Sequence, residues 1–237
     1  MEDFARYLVD FSDLYADREP VEGPPPAEWE EELEDQFPEG WDETDWPALM
    51  DLGDRDLSAL EPGHLREFLG WFLPKEGASA DEILECAEVL RRWLEHLQKR
   101  GWRREEELLA FREAIDEVAP EAARAARASL ILHDWARAGG GMPKELAGSR
   151  FEDFAEGHAR LVNIIGDQGW FSFEDEYGDV GPVRLPSEAI AYLRVGDVID
   201  AEFGLRGGRW WLVDSGAVYP GCVYVDVGEW DGRDKTF

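Results

Sequence analysis

Lysine is nearly missing from this sequence: four lysines stand beside 20 arginines. Cysteine is scarcer still. Cys86 and Cys222 lie far apart with no neighbouring thiol or histidine pair, which excludes a disulfide framework and zinc-ligand spacing, and both read as small core residues. The histidines His64, His96, His133 and His158 form neither HExxH nor His-x3-His, so a metal site would have to be assembled from distant segments. No metal and no cofactor are expected. No apolar run approaches the roughly 18 to 20 residues of a membrane span. The chain opens on Glu2-Asp3 where a targeting segment would be basic and then apolar, so the expectation is a cytoplasmic protein with no membrane partner. A Walker-type loop, a GxSxG elbow and a Cys-His nucleophile arrangement are also missing, and Gly139-Gly140-Gly141 runs into Met142-Pro143 where a phosphate cradle would enter a helix. With no catalytic motif, the chain reads as non-enzymatic.

Acid is what the sequence has in excess: 54 Asp and Glu against 24 Lys and Arg, a net charge of −30 over 237 residues. At 44% hydrophobic and 12% aromatic the chain can still bury a sizeable core, which rules out wholesale disorder and allows one or two domains. The arginine bias and the acidity point to a GC-rich genome or a saline cytoplasm, since an acidic surface keeps a protein dispersed when salt screens its self-repulsion. The charge is unevenly placed: residues 1–60 hold −17, 61–90 hold −5, 91–150 hold +2 and 151–237 hold −10. Carboxylate pairs are so abundant that no single pair marks itself as an acid/base couple.

Along the chain, Phe4, Tyr7, Leu8, Phe11, Leu14 and Tyr15 fall at helical spacing until Pro20 and Pro24-Pro25-Pro26 intervene. Residues 27–52 then set Trp29, Phe37, Trp41 and Trp46 among dense acids, as in acidic-aromatic interaction tails. Two uses fit: the aromatics pack back onto a domain, or the segment docks a basic partner. Ser58-x-x-Glu61 predicts a helix start, with Leu65, Phe68, Leu69 and Phe72 as the buried stripe and Pro74 as the stop. Ser79-x-x-Glu82 caps the next helix, which runs through Ile83, Ala87, Leu90, Leu94 and Leu97 to Gly101. Two more helices are expected over 103–118 and 120–138, separated by Pro120, the second carrying Leu130, Leu132 and Trp135. The glycines at 139–141 and Pro143 mark a break, and beyond it the period changes. Short β-rich runs at 158–166, 168–175, 180–186, 197–203, 209–214 and 222–227, with a Leu-Arg-Gly-Gly turn between the fourth and fifth, suit a small antiparallel barrel.

Two stretches resemble known families. LSALEPGHLREFL and SADEILECAEVLRRWLEHLQKRG, within 57–101, resemble the helical core-binding domain of tyrosine recombinases, which clamps DNA. The chemistry of that family needs a downstream helical domain with Arg, His and Tyr; here strands are expected, so the resemblance implies no recombination. LRVGDVIDAEF at 193–203 resembles the Val-Gly-Asp turn of S1-like and other OB-type barrels, and implies such a barrel over 158–227.

Two local features are candidates for binding. Arg91, Arg92, Lys99, Arg100, Arg103 and Arg104 cluster where the long helix ends, against the sign of the whole chain. They serve as helix-end cations and intramolecular partners, or as phosphate contacts. Arg209, Trp210 and Trp211 follow the expected turn, with Trp170 in another strand. Adjacent strand residues face opposite sides, so one of Trp210 and Trp211 enters the core while the other is covered by the helices or forms a stacking platform. The resulting expectation is an α+β protein with an acidic arm (1–44), a helical domain (45–138), a Gly-rich linker (139–150), a small antiparallel β-barrel (151–227) and a loosely ordered tail (228–237). The function expected of it is that of a non-catalytic macromolecular-interaction or adaptor protein, with a protein partner of basic character. Nucleic-acid association through an OB-like barrel and the arginine cluster, which the net charge disfavours, and DNA mimicry are the alternatives.

Overall fold

The computed structural model describes residues 60–146, 150–173 and 179–223, together with the backbone of 228–229. The acidic arm, Trp29, Trp41, Trp46 and the Ser58 cap lie outside the described residues. The chain divides at His64/Leu65 into two units, of which the second holds nearly all of the described residues. It is mixed α and β: a helical region followed by a sheet.

α1 (Pro62–Glu67) runs into a π turn at Phe68–Phe72 and then α2 (Leu73–Lys75). Leu65, Phe68, Leu69 and Phe72 are buried, as the apolar spacing predicts. Pro74 does not stop the helix. It lies in the last turn of a helical run that is continuous through the π turn, and the chain leaves the helix one residue later, after Lys75.

α3 (Ala80–Lys99) starts where the Ser79-x-x-Glu82 pattern places it. Ser79 Oγ accepts from the Glu82 N–H at 3.3 Å, and the Glu82 carboxylate accepts from the Ser79 N–H at 2.7 Å. Its buried residues include Ile83, Ala87, Leu90, Leu94 and Leu97, one face at helical spacing.

The two helices expected on either side of Pro120 are one 33-residue helix, α4 (Glu105–Arg137). An internal proline costs a helix about 3 kcal/mol through one lost hydrogen bond and a clash. Here Pro120 and Asp116, whose carbonyl loses its partner, both face outward, while Val118, Ala119, Ala122 and Ala123 are buried on the other side. Burial on both flanks of the proline outweighs the local break. Of the apolar residues noted in the second half of α4, Leu132 is buried and Leu130 is 65% exposed.

The sheet comprises β1 (Asp153–Ile165), β2 (Gln168–Ser172), β3 (Asp179–Arg184), β4 (Val198–Arg206), β5 (Arg209–Tyr219) and β6 (Gly228–Glu229), with the short α5 (Ser187–Ile190) between β3 and β4. Its order is β2-β3-β5-β4-β1-β6, and β1 pairs with β2 as well. The first part of β1 lies antiparallel to β4 (Asp153↔Leu205 to Arg160↔Val198) and the last part to β2 (Arg160↔Ser172 to Ile165↔Gln168). β3 meets β5 in parallel at Val183↔Trp210. The β4–β5 hairpin turns through Gly207 and Gly208 at φ +61° and +68°, the left-handed pair that a two-residue turn of this hand requires. The last strand differs from expectation: Cys222 and Val223 lie in a turn, 224–227 lie outside the described residues, and Gly228–Glu229, in the stretch expected to be loose, pairs with Gly157 and His158.

Helices and sheet share a core. Ala125, Ala128, Leu132 and Ala136 of α4 join Leu161, Phe171, Phe203 and Leu212 of the sheet, the alanines allowing the helix close to the strands. The helix end is seated on β5. Gly139 N–H donates to the Ala136 carbonyl and Gly140 N–H to the Trp135 carbonyl, a left-handed helix termination. Gly140 is buried, and a Cβ there would stand 2.1 Å from the Leu212 carbonyl oxygen. Gly140 thus makes a packing contact with β5.

A buried ion pair forms a second joint. Arg124 of α4 donates through Nη1 and Nη2 to Asp197 at 2.8 and 2.7 Å, and also to the Tyr192 carbonyl. The Asp197 side chain is 1% exposed and accepts from the Arg194 N–H as well. Burial opposes the charge on Arg124, but the Asp197 carboxylate outweighs that and holds the guanidinium above its ordinary value. The aspartate of the Val-Gly-Asp turn thus clamps the turn to the helix.

Candidate interaction surfaces

Four members of the basic cluster pair with carboxylates of their own hairpin, Arg92, Lys99 and Arg104 while remaining largely exposed. Arg91 donates to Asp116 through Nε and Nη2 (3.1 and 2.7 Å), joining α3 to α4. Arg92 pairs with Glu88, Lys99 with Glu95, and Arg104 with Glu107. The Arg104 backbone N–H and side chain hold the Glu107 carboxyl below its ordinary range, with the Arg104 and Arg103 charges adding to the effect. Arg100 lies over the Trp102 ring, 6.0 Å from its centroid.

The three sequence-selected tryptophans of the sheet do not converge. Trp170 is half-buried on β2 and lies on Gly181 of β3, where a Cβ would come within 2.8 Å of its ring. Trp210 packs against the shared core, and Trp211 points to the other face, as strand alternation requires. That outer tryptophan is not wet: it is 7% exposed, and its Nε1 donates to the Arg206 carbonyl at 3.0 Å. Its register partner Gly204 is covered by Phe151, over which the Arg206 guanidinium stacks at 3.6 Å. Arg209 is exposed beside the turn.

The outer face of β1, β4 and β5 carries an arrangement that spacing alone did not reveal. Glu156 is directly opposite Glu202, and Glu202 is directly opposite Asp214, so three carboxylates stand in one row across three strands. One step along, His158 faces Asp200. Side chains directly opposite are about 5 Å apart at Cβ, and like charges there are destabilising. None of the three row members has an ion-pair partner among the described residues. Burial pushes the half-buried Glu202 carboxyl above its ordinary range, and the Glu156 and Asp214 charges push it further. The acids of DAEF and LVD were visible in the sequence; their alignment depends on register, which was not.

A groove of about 600 Å³ opens between the α2–α3 turn, one face of α4 and the Ser215–Val218 stretch of β5. The β4–β5 ladder is irregular along its β5 wall: Ile199 opposes Val218 while Ala201 opposes Ser215, so β5 carries one residue more than β4 between them. Ser129 Oγ donates to the Gly216 carbonyl at 2.7 Å and His133 Nδ1 to the Ser215 carbonyl at 3.0 Å, satisfying backbone acceptors beside the irregularity. No group of three or more metal-ligating side chains occurs among the described residues. None of the helices among them is long and apolar enough to cross a membrane. No protein-family pattern, curated protein or solved structure matches this chain.

Proposed function

We propose that the protein is a non-catalytic interaction protein whose carboxylate face on β1, β4 and β5 receives a basic protein partner. The observation that carries this reading is the row Glu156, Glu202 and Asp214: three acids held directly opposite one another without cations, on a chain that pairs many of its helical acids. Self-repulsion in the free protein becomes attraction once cationic side chains cover the row, and the net charge of −30 speeds the approach of a basic partner. The strongly acidic residues 1–60 add to the same field. The sheet beneath is read as a small OB-like barrel. Support comes from β1 pairing with both β4 and β2, from the parallel β3–β5 contact and from the helix between β3 and β4.

A second reading has one specific observation in its favour, the half-buried Trp170 on β2, on the strand pair that OB-type barrels turn toward nucleic acid. The carboxylate partners of Arg91, Arg92 and Arg104 count against it. Affinity capture from the native host at its own ionic strength separates the two. The first reading expects a basic protein, retained when Arg91, Arg92, Arg100, Arg103 and Arg104 become Gln and weakened when residues 1–45 are removed. Recovery of an oligonucleotide, lost with the arginine changes, would replace it by the second.

A further inference from the structure

We propose that the carboxylate face of β1, β4 and β5 selects arginine over lysine in its partner, a guanidinium seating between the exposed ring of Phe154 and the carboxylates of Glu156 and Glu202. The inference rests on the reading of that face as a site for a basic protein, and it names the side chain that enters.

Positions two apart share a face of a strand, so Phe154 stands beside Glu156 on the outer side of β1, about 7 Å along it. Phe154 lies opposite Gly204 and Glu156 opposite Glu202, which sets Glu202 diagonal to the ring at about 7 to 8 Å. Gly204 offers no side chain, and Phe151 fills that place: a Cβ on Gly204 would stand 2.5 Å from its ring. Trp211 is next across the ladder from Gly204. An aromatic row, Phe154, Phe151 and Trp211, therefore runs alongside the carboxylate row.

That aromatic row already holds one guanidinium. Arg206 stacks 3.6 Å from the centre of the Phe151 ring, donates through Nη1 to the Leu146 carbonyl at 2.9 Å, and is 7% exposed. Phe154 packs on Phe151 with 4.7 Å between ring centres and still remains 43% exposed. No cation among the described residues lies over it. Phe154 and Trp102 are the two exposed aromatic side chains among the described residues, and Phe154 is the one on the sheet.

A guanidinium lays its flat face on a ring while the N–H groups at its edge donate in pairs to a carboxylate. A lysine ammonium is compact and strongly hydrated, and it has no flat face to stack. Both cations answer the charge of the row, so the ring decides between them.

The test is fluorescence anisotropy on the full chain at about 0.15 M salt with two labelled octapeptides of equal charge, one alternating arginine with serine and the other lysine with serine. The arginine peptide is expected to bind at least about threefold tighter. Phe154→Leu, which keeps an apolar side chain at an exposed position, should bring the two Kd values within about 1.5-fold of each other, with the circular dichroism unchanged. Phe154→Tyr should retain the preference, and Trp102→Leu, which removes an exposed ring from the helical hairpin, should leave it as it is. Equal binding of the two peptides by the native chain, a preference that survives Phe154→Leu, or one lost with Trp102→Leu overturns the inference. The variant Glu156→Gln/Glu202→Gln/Asp214→Asn separates that failure from failure of the reading beneath it. If the preference is absent but this variant loses at least about tenfold in affinity for both peptides, the inference falls and the basic-partner face stands. If it binds both peptides as the native chain does, both fall.

Discussion

The helical hairpin and the outer face of the sheet both carry acids and differ in how those acids meet cations. On α3 and α4 many of the acids, though not Glu85, Glu106 or Glu113, meet cations: Arg91 with Asp116, Arg66 with Glu117 and Arg112 with Glu105 join separate turns or elements, while Arg92 and Lys99 pair one turn back along α3. On β1, β4 and β5 Glu156, Glu202 and Asp214 face one another and no cation. Paired charge there closes a surface, and unpaired charge here leaves one open. A helix offers each acid a neighbour three or four residues away, whereas a sheet row is assembled from distant parts of the chain, so a like-charged row persists only where something other than free-state stability favours it.

The comparison can be broken or sharpened by substitution. The largest effect is expected at the joint between the two regions. Arg124→Ala would leave the Asp197 carboxylate buried and unpaired, at a cost of about 3 to 5 kcal/mol in urea unfolding. Arg124→Met, which fills the space but cannot pair, should be nearly as damaging unless Asp197→Asn accompanies it. Recovery by the double change would show that the orphaned charge, and not the lost packing, is what costs stability.

A smaller effect of opposite sign is expected in the row. The folded state raises the Glu202 carboxyl, so it holds that proton more tightly than the unfolded chain does. The resulting stability is complete below the ordinary glutamate value of about 4.3 and is lost as pH rises through the raised folded value. Glu202→Gln should therefore melt about 1 to 3 °C above the native chain at neutral pH, and the difference should shrink on acidification and in about 1 M KCl. A lower melting temperature for the variant at neutral pH would mean the row is not repulsive. The smallest effect belongs to the hairpin, where Arg92→Ala removes an exposed pair and should change stability by no more than about 0.5 kcal/mol.

These regions also differ in how far the sequence revealed them. The start of α3 was legible because a capping box is a local pattern, and Ser79 and Glu82 make it as written. The glycine turn between β4 and β5 was legible for the same reason. Pro120 misled because a local rule met burial on both sides of the proline. The fate of Trp211 followed from strand alternation, but its cover by its own surroundings did not. The carboxylate row and the groove were illegible: one depends on register across three strands, the other on segments distant in sequence coming together.

The central claim is that the outer sheet face is held open for cationic side chains. It is tested most directly by calorimetric titration of a deca-arginine peptide into the native chain, into Glu156→Gln/Glu202→Gln/Asp214→Asn, and into a control with Glu85, Glu106 and Glu113 changed to Gln on the exposed faces of the helices. All variants that remove three charges lose the same long-range attraction, so only a local site distinguishes them. The account predicts that the row variant loses at least about tenfold in affinity while the helical control loses less than about threefold. Equal losses in the two variants would contradict it.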